Sequence, residues 1–324
     1  MKKYNSFDLL KVFLAIFVIA IHTDPLPEHK YLFYELLLQS AVPCFLMISA
    51  FLLFKKNETN DNTIKKHLFK IIKLYLIWTI IYLPISIYFF ANSDSSIKII
   101  IIRFFKDFIF VGQQPYSYQF WYLLSTIYCL LILLFFKKKK INDLYLLCLA
   151  LFLYVIGMII DYYTLNINSL NGVMYKIFYI IKHTFGSGRM FYSMIYIFIG
   201  MYISKNNIRI KSIYCITSII FLSILSYYTK IEIFKILLYV SIFMTFVSMN
   251  LKNSTKYFFL RKTSTIMYFT HMIFFFIYTL IIGQDKCKGL FGFLFTLFGT
   301  ILLSIIVFYI GKKHPNNKII KYIF

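Results

Sequence analysis

Charged residues are scarce in this sequence, and acidic ones are the scarcest. Only 15% of the 324 residues are charged, against roughly 25% in soluble proteins, and Asp and Glu together number 12. No stretch is polar enough to form a separate water-soluble domain, since 60% of the residues are hydrophobic and the mean hydropathy is +0.74. The composition therefore excludes free-standing soluble hydrolases, nucleotide-binding sheets and nucleic-acid modules. It predicts an all-α integral membrane protein that forms one polytopic domain over residues 1–324.

The sequence also lacks any pairing pattern among its five cysteines. None of them occurs in a C-x-x-C spacing, and the first four, Cys44, Cys129, Cys148 and Cys215, lie within apolar runs. A thiol buried in apolar surroundings is a poor nucleophile, and scattered single cysteines favour neither a zinc site nor a disulfide framework. We therefore expect no metal and no disulfide.

Long apolar runs predict about ten transmembrane helices, because about 20 apolar residues cross the hydrocarbon core of a bilayer. The predicted spans cover residues 6–23, 33–54, 71–90, 119–136, 143–160, 189–204, 210–228, 232–250, 264–282 and 290–310. Two segments between spans, 91–118 and 161–188, are too long for simple turns and carry apolar pieces mixed with lysine and arginine. We expect them to form interfacial or re-entrant helices on the outer side.

The net charge is +23, and the distribution of the basic residues predicts how the chain is oriented in the membrane. With the N-terminus inside, the segments predicted to be cytoplasmic hold most of the 35 Lys and Arg residues, from Lys2 and Lys3 to Lys318 and Lys321. Cytoplasmic loops of membrane proteins are enriched in these residues, so both termini are predicted to be cytoplasmic. Basic residues beside apolar spans more often face anionic lipid than nucleic acid. We expect membrane lipid as a partner, no nucleic acid, and a multi-pass protein of the cytoplasmic membrane.

Ionisable residues within the first span are candidate functional residues, because each adds about 2.5 to 3.5 kcal/mol to the free energy of membrane insertion. Asp8, Lys11 and His22 are such residues. Lys11 and His22 are eleven positions apart, which is three helical turns plus about 20°, so they share a face and lie about 16 Å apart along the axis. Alternatively, Lys11 reaches the inner headgroups and His22 lies in the outer interface.

Two further spans carry polar residues that are candidates for a functional site. Ser264, Tyr268 and His271 recur at i, i+4 and i+7 and form one stripe on the ninth span, where the alternative is a hydrogen-bonded packing histidine. Arg189 opens the sixth span on the outer side, after Gly-Ser-Gly, where the alternative is a cap or an interface anchor.

Four lysines lead into the third span at near-helical spacing, and they suit either anionic lipid or a polyphosphate. They are Lys65, Lys66, Lys70 and Lys73. In the second span Ser49 follows Pro43, and this proline predicts an irregularity in the helix because it frees a backbone carbonyl.

Five motifs occur in an order that resembles the acyltransferase-3 family of integral-membrane O-acyltransferases, over nearly the whole chain. They are Lys11-x10-His22, the Pro-x-Phe-containing string from Pro43 through Ser49 to Phe51, Phe120-Trp121-Tyr122, the segment from Arg189 to Gly200, and Ser264-x3-Tyr268-x2-His271. Within this family, His22-Thr23-Asp24-Pro25-Leu26 and the Pro43 string look closest to the membrane half of vancomycin-resistance serine racemases. That half is regarded as a serine-uptake module, and the pyridoxal-dependent racemase domain attached to it is not expected within these 324 residues.

The resemblance implies acyl transfer from cytoplasmic acyl-CoA, with acetyl-CoA preferred, to a hydroxyl of an extracytoplasmic envelope saccharide, polymer or small molecule. It implies His22 as general base, Arg189 as a group that stabilises developing negative charge, and His271 as a polar partner. Donor binding falls to Lys11, Lys65, Lys66, Lys70 and Lys73, and substrate contact to Asp24, Ser49, Trp121 and Tyr268. The sequence departs from the family where Lys11 replaces an arginine and where Lys70-x-x-Lys73 replaces Arg-x-x-Arg, which keeps the charge but loses bidentate phosphate recognition.

A different class of protein remains open. The same buried ionisable groups suit a transporter or sensor of a small polar amino acid such as serine, in which they bind ammonium and carboxylate groups. An inactive scaffold in an envelope-synthesis complex is a third alternative.

Overall fold

The computed structural model describes residues 4–26, 31–55 and 61–314, and this part of the chain is helical almost throughout. Its α-helices are α1 (Asn5–Thr23), α2 (Tyr31–Gln39), α3 (Ala41–Phe54), α4 (Asp61–Ala91), α5 (Ile97–Lys106), α6 (Trp121–Lys138), α7 (Asp143–Leu165), α8 (Gly172–Phe185), α9 (Arg189–Lys205), α10 (Ser212–Thr229), α11 (Glu232–Ser248), α12 (Thr255–Ile282) and α13 (Leu290–Lys313).

Eight segments within these ranges are long and apolar enough to cross a membrane, so the all-α, multi-pass prediction is confirmed, while the count of ten spans stays a prediction. Each predicted span overlaps one α-helix, except the second, which overlaps both α2 and α3. However, α9 and α11 have 17 residues each, which is about 25 Å at 1.5 Å per residue, short of the roughly 30 Å hydrocarbon core. The cytoplasmic location of both termini stays a prediction, and Lys2, Lys3, Lys318 and Lys321 lie outside the described residues.

Two helices begin well before the apolar runs that predicted them. The third span was predicted from residue 71 and the ninth from residue 264, yet α4 starts at Asp61 and α12 at Thr255. The Ser254 side chain accepts a hydrogen bond from the Lys256 backbone N–H and caps α12. Asp61 lies in the first turn of α4, where a carboxylate favours the positive end of the helix dipole. Polar residues assigned to loops therefore lie on helices.

The second predicted span is interrupted, as Pro43 indicates. Helix α2 ends at Gln39 and α3 begins at Ala41, and the Ser40 N–H and hydroxyl both donate to the Leu37 carbonyl. Pro43 has no N–H to donate to the carbonyl of Gln39, four residues earlier, and its ring crowds that carbonyl. The proline thus separates the two helices.

The two long segments predicted to lie on the outer side contain short helices. Helix α5 has no buried side chain and continues into a π-helical turn at Asp107–Val111. Its Lys106 pairs with Asp107 at 2.9 Å and donates to the His183 carbonyl at 2.6 Å, which ties α5 to α8. Their interfacial orientation stays a prediction.

Internal packing divides the chain into two compact units, the first made of residues up to Ile48 and from Asn207 onward. In this unit α1 packs along α12 and also contacts α2, α11 and α13, while α10 packs on α11 and α2. A small core of Ala15, Ile19 and Met267 lies where α1 meets α12. Helix α1 is therefore the element around which the first unit is arranged.

The second unit comprises Ser49–Asn206. Here α9 packs on α7 and α6, and α6 also packs on α4. A Cβ at Gly188 would overlap the Gly157 carbonyl oxygen, so α7 and the start of α9 touch backbone to backbone. Asp161 fixes this contact, because its two carboxylate oxygens accept from the Gly188 N–H at 2.7 Å and from the Tyr192 hydroxyl at 2.6 Å.

A bidentate ion pair joins α1 to α12 near the N-terminal end of both helices. Arg261 donates from Nε and Nη2 to the two carboxylate oxygens of Asp8 at 2.8 and 2.7 Å, and Asp8 is only 2% exposed. In the same region the Asn5 amide donates to the Lys252 carbonyl at 3.1 Å and the Ser6 hydroxyl to the Phe246 carbonyl at 2.6 Å. Polar contacts therefore fix the beginning of α1.

We predict that Arg261→Gln lowers the free energy of unfolding by about 2 kcal/mol, because it leaves the Asp8 carboxylate buried without its cation. The figure lies below the roughly 3 to 5 kcal/mol of a fully buried pair because the Arg261 side chain is 47% exposed. Thermal unfolding of the purified protein in detergent measures the loss. The matched control is Lys256→Gln, an exposed cation on the same helix.

The double variant Asp8→Asn/Arg261→Gln removes the stranded charge along with its partner, so it should recover most of the stability. If Arg261→Gln unfolds at the same temperature as Lys256→Gln, the ion pair does not stabilise the unit.

Candidate functional site

Two histidines from separate predicted stripes meet in the first unit. His22 lies in the last turn of α1 and is partly exposed, whereas His271 lies in α12 and is fully buried. Their rings stack with centroids 5.4 Å apart and planes 29° apart. Helical periodicity placed each histidine on a polar face, and the packing of α1 on α12 brings the two faces together.

The ring of His271 is held in one tautomer when neutral. Its Nδ1 lies 3.1 Å from the Met267 carbonyl and 2.9 Å from the Tyr268 carbonyl. A carbonyl oxygen only accepts hydrogen bonds, so Nδ1 carries the hydrogen and Nε2 carries the lone pair. That Nε2 is buried and has no hydrogen-bond partner among the residues the structure describes. His271 therefore presents a fixed acceptor beside the His22 ring.

The polar faces of α1 and α12 run parallel to each other. Asp8 meets Arg261 at one end and His22 meets His271 at the other, fourteen residues further along α1 and ten along α12. Helix α1 is continuous, so Lys11 shares a face with His22 as the spacing predicts.

Ser264 and Tyr268 share the polar face of α12 with His271. The Ser264 hydroxyl donates to the Arg261 carbonyl at 2.9 Å. The Tyr268 ring contacts Phe45 at 5.7 Å and His271 at 6.4 Å between centroids. Tyr268 is thus a neighbour of the histidine pair, as its position in the stripe predicts.

The end of α1 next to His22 is anchored by its backbone. The Gly289 N–H donates to the Thr23 carbonyl at 2.7 Å, and Asp24 takes a left-handed conformation with φ of 54° at the helix terminus. The Asp24 carboxylate lies 3.9 Å from the Lys288 ammonium, and both side chains are substantially exposed, so this pair contributes little stability. Asp24 remains accessible to a substrate at this end.

Arg189 and Trp121, predicted from separate motifs, lie together in the second unit. The Arg189 guanidinium carbon is 5.3 Å from the centre of the Trp121 ring, and Nη2 donates to the side-chain oxygen of Gln113. Its Nε is buried and lacks a hydrogen-bond partner within the described ranges. Arg189 begins α9 as predicted, and it keeps one donor unused for an anionic or carbonyl group.

The four lysines predicted to bind the donor lie on α4, and all four are exposed: Lys65, Lys66, Lys70 and Lys73. Ser49 belongs to α3, where its hydroxyl lies 3.3 Å from Nε2 of His67 on α4 and is hydrogen-bonded to the Tyr122 hydroxyl on α6. The structure thus places Ser49 beside a histidine of the lysine-rich part of α4.

The predicted site residues divide between the two units. The first unit holds Lys11, His22, Asp24, Tyr268 and His271, and the second holds Ser49, Lys65, Lys66, Lys70, Lys73, Trp121 and Arg189. Within the described ranges no group of three His, Cys, Asp or Glu side chains could hold a metal ion.

Sequence reasoning missed three contact residues. Arg261 precedes the apolar run that starts at residue 264, so the sequence placed it in a loop. A carboxylate within a membrane helix nevertheless indicates a nearby cation, and Arg261 is that cation for Asp8. His67 lies among the lysines at the start of α4, and sequence reasoning gave it no role. Gln113, which accepts from Arg189, lies in an irregular segment without periodicity, and no signal in the sequence indicates its role.

Comparison with known proteins agrees with the motifs. A family model described as an acyltransferase domain, that of the acyltransferase-3 family, matches residues 4–309. An amino-acid racemase of Enterococcus faecalis is 28% identical over 230 residues, which cover 66% of this chain and 31% of that protein. A second amino-acid racemase of that species is 33% identical over 132 residues, 38% of this chain and 18% of that protein.

The chain therefore spans less than a third of the length of these relatives, and no solved structure matches it. The family model, in contrast, covers nearly the whole chain. From the family model, the ordered motifs and the apolar helices together, it follows that this multi-pass membrane protein belongs to the acyltransferase-3 family.

Proposed function

We propose that the protein is a transmembrane O-acyltransferase of the cytoplasmic membrane. It would move an acyl group, acetyl in the first instance, from cytoplasmic acyl-CoA to a hydroxyl of an extracytoplasmic envelope saccharide, polymer or small molecule. Membership of the family supports acyl transfer at a membrane. The observation that carries the assignment of residues is the stacked pair of His22 and His271.

His22 acts as the general base on the acceptor hydroxyl. An imidazole can take this proton where a carboxylate is too weak a base, and the partial exposure of His22 leaves it reachable by a substrate. His271 is fully buried, so it accepts a hydrogen bond at its fixed Nε2 and orients the hydroxyl. A His271 that stays neutral adds no positive charge beside His22, so it does not oppose the formation of an imidazolium on His22.

The second unit supplies groups for the donor and for developing charge. Lys65, Lys66, Lys70 and Lys73 are exposed on one helix, where ammonium groups bind the phosphates of coenzyme A as point charges. Arg189, with its unused Nε and its stack on Trp121, stabilises negative charge on a carbonyl or acceptor. Lys11 steadies the donor in the first unit, and Asp24, Ser49 and Tyr268 contact substrate.

We expect His22→Gln to lower the rate of acetyl transfer by roughly a hundredfold to ten-thousandfold, the usual contribution of a general base. Membranes that contain the protein are supplied with labelled acetyl-CoA, and ester-linked label is measured on envelope material. His183→Gln is the matched control, because His183 is an exposed histidine of α8 to which the mechanism gives no role. Normal transfer by the His22→Gln protein would remove His22 from the mechanism.

Exchange of the four α4 lysines for glutamine should raise the KM for acetyl-CoA by about tenfold or more, equivalent to roughly 1.4 kcal/mol of binding, and lower kcat less. The effect should shrink at high ionic strength, which screens exposed charges. The same exchange at Lys137, Lys138, Lys139 and Lys140 is the matched control, because it removes equal charge from another basic segment. Equal KM values for the two variants would show that α4 has no particular role in donor binding.

A second candidate is a transporter or sensor of a small polar amino acid. It is favoured by the similarity to two proteins named amino-acid racemase, and a buried imidazole acceptor beside ionisable groups suits an ammonium ligand. Serine uptake into vesicles without turnover of acetyl-CoA supports this candidate. Release of coenzyme A that depends on His22 supports the acyltransferase.

A further inference from the structure

A serine and a histidine that no assignment above makes catalytic as a pair lie within reach of each other in the second unit. The Ser49 hydroxyl oxygen is 3.3 Å from Nε2 of His67, the geometry of a hydroxyl nucleophile beside its base before substrate binds. Both side chains are partly exposed, so neither is sealed in the core. We propose that Ser49, activated by His67, receives the acyl group from acyl-CoA and carries it as an ester.

The surroundings of His67 favour the donor half of the reaction. Lys66 and Lys70 lie one residue before and three residues after His67 on α4, and both are exposed. Positions i and i+3 are neighbours on a helix surface. A donor whose phosphates bind these lysines has a thioester-bearing arm that is flexible and long, and the base and the nucleophile lie on and beside the same helix. This step rests on the proposed function, since it takes acyl-CoA as donor.

The Tyr122 hydroxyl completes the arrangement. It is hydrogen-bonded to Ser49 from α6, so the Ser49 hydroxyl is held between α4 and α6. A hydroxyl group beside the nucleophile can donate a hydrogen bond to the carbonyl oxygen as negative charge develops on it. The three side chains belong to residues of the second unit and come from three helices, α3, α4 and α6.

The chemistry balances in two steps. In the first, the Ser49 oxygen attacks the thioester carbonyl carbon, His67 Nε2 takes the hydroxyl proton, the C–S bond breaks, and the thiolate of coenzyme A leaves and takes up that proton. In the second, the acceptor hydroxyl oxygen attacks the carbonyl carbon of the Ser49 ester, the bond from the acyl carbon to the Ser49 oxygen breaks, and the proton that the acceptor hydroxyl loses is transferred to the Ser49 oxygen. The products are free coenzyme A and the acylated acceptor.

The test uses the full-length protein in detergent with acetyl-CoA and no acceptor. We expect release of one equivalent of coenzyme A in a burst and one added acetyl group on the peptide that contains Ser49, measured by mass spectrometry after acid quenching. Ser49→Ala should abolish both signals. His67→Gln should slow acetylation of Ser49 by roughly a hundredfold or more.

Two further variants separate catalysis from packing. Ser49→Cys retains a nucleophile and should carry the acetyl group as a thioester that neutral hydroxylamine removes. Ser204→Ala is the matched control, because its hydroxyl donates to the Phe51 carbonyl and joins α9 to the same helix, α3, without a histidine. It should acetylate Ser49 as the unmodified protein does.

Each outcome decides the inference. Normal acetyl transfer to envelope material by Ser49→Ala overturns the acyl-serine and leaves the proposed function intact. Release of coenzyme A only when envelope material is added, with no acetyl on Ser49, also overturns it in favour of direct transfer. An unmodified protein that transfers no acetyl from acetyl-CoA with or without envelope material overturns both.

Discussion

A carboxylate in an apolar membrane helix needs a cation beside it, and this constraint sets how α1 and α12 pack. Asp8 is almost fully buried and Arg261 binds both of its oxygens. From this pair to the histidines, α1 rises by about 21 Å and α12 by about 15 Å, so the Arg261 backbone lies roughly 6 Å beyond Asp8 along the axes. Helical side chains lean toward the N-terminus, and a long arginine side chain that leans this way covers the difference. The same register brings His22 level with His271.

Because the register is fixed at the charged end, the polar groups at the other end need no strong attraction between themselves. Two stacked imidazole rings 5.4 Å apart add little to stability, and Nε2 of His271 lacks a hydrogen-bond partner among the described residues. A buried acceptor without a partner costs roughly 1 to 3 kcal/mol. Asp8, Arg261 and the apolar core around Ala15 offset that cost. The stabilising ion pair and the candidate site thus lie at opposite ends of one pair of helices.

The parts of this structure that sequence could predict are those that depend on neighbours along the chain. The break before Pro43, the shared face of Lys11 and His22, and the stripe that ends at His271 all follow from local geometry. Helices α9 and α11 fall outside the eight segments because each has only 17 residues, although both coincide with predicted spans.

Periodicity identifies which face of a helix is polar and leaves open which other helix that face meets. The contact of His22 with His271 joins residues about 250 positions apart in sequence. The contact of Ser49 with His67 joins α3 to α4, and no local sequence pattern predicts which residues of these two helices meet. Asp8 required a cation, yet several lysines and arginines were candidates. Ser254, which lies outside the apolar run, caps α12 so that the helix begins before Arg261. Arg261 therefore lies on α12, within reach of Asp8.

The presence of two imidazole sites bears on the number of chemical steps. Direct transfer from a thioester to a hydroxyl needs a single base, the role proposed for His22. A covalent intermediate needs proton transfer twice, first from the protein nucleophile and then from the acceptor hydroxyl. The first unit holds the partly exposed His22 beside the hydrogen-bond acceptor Nε2 of His271, and the second unit holds His67 beside Ser49.

The charged residues near the two histidines also differ. His67 lies among exposed lysines that suit a phosphate-bearing donor, whereas His22 is followed by the accessible carboxylate of Asp24, which suits a polar acyl acceptor. The two histidines therefore differ in the charge around them as the two half-reactions differ in substrate, and a two-step transfer accounts for both.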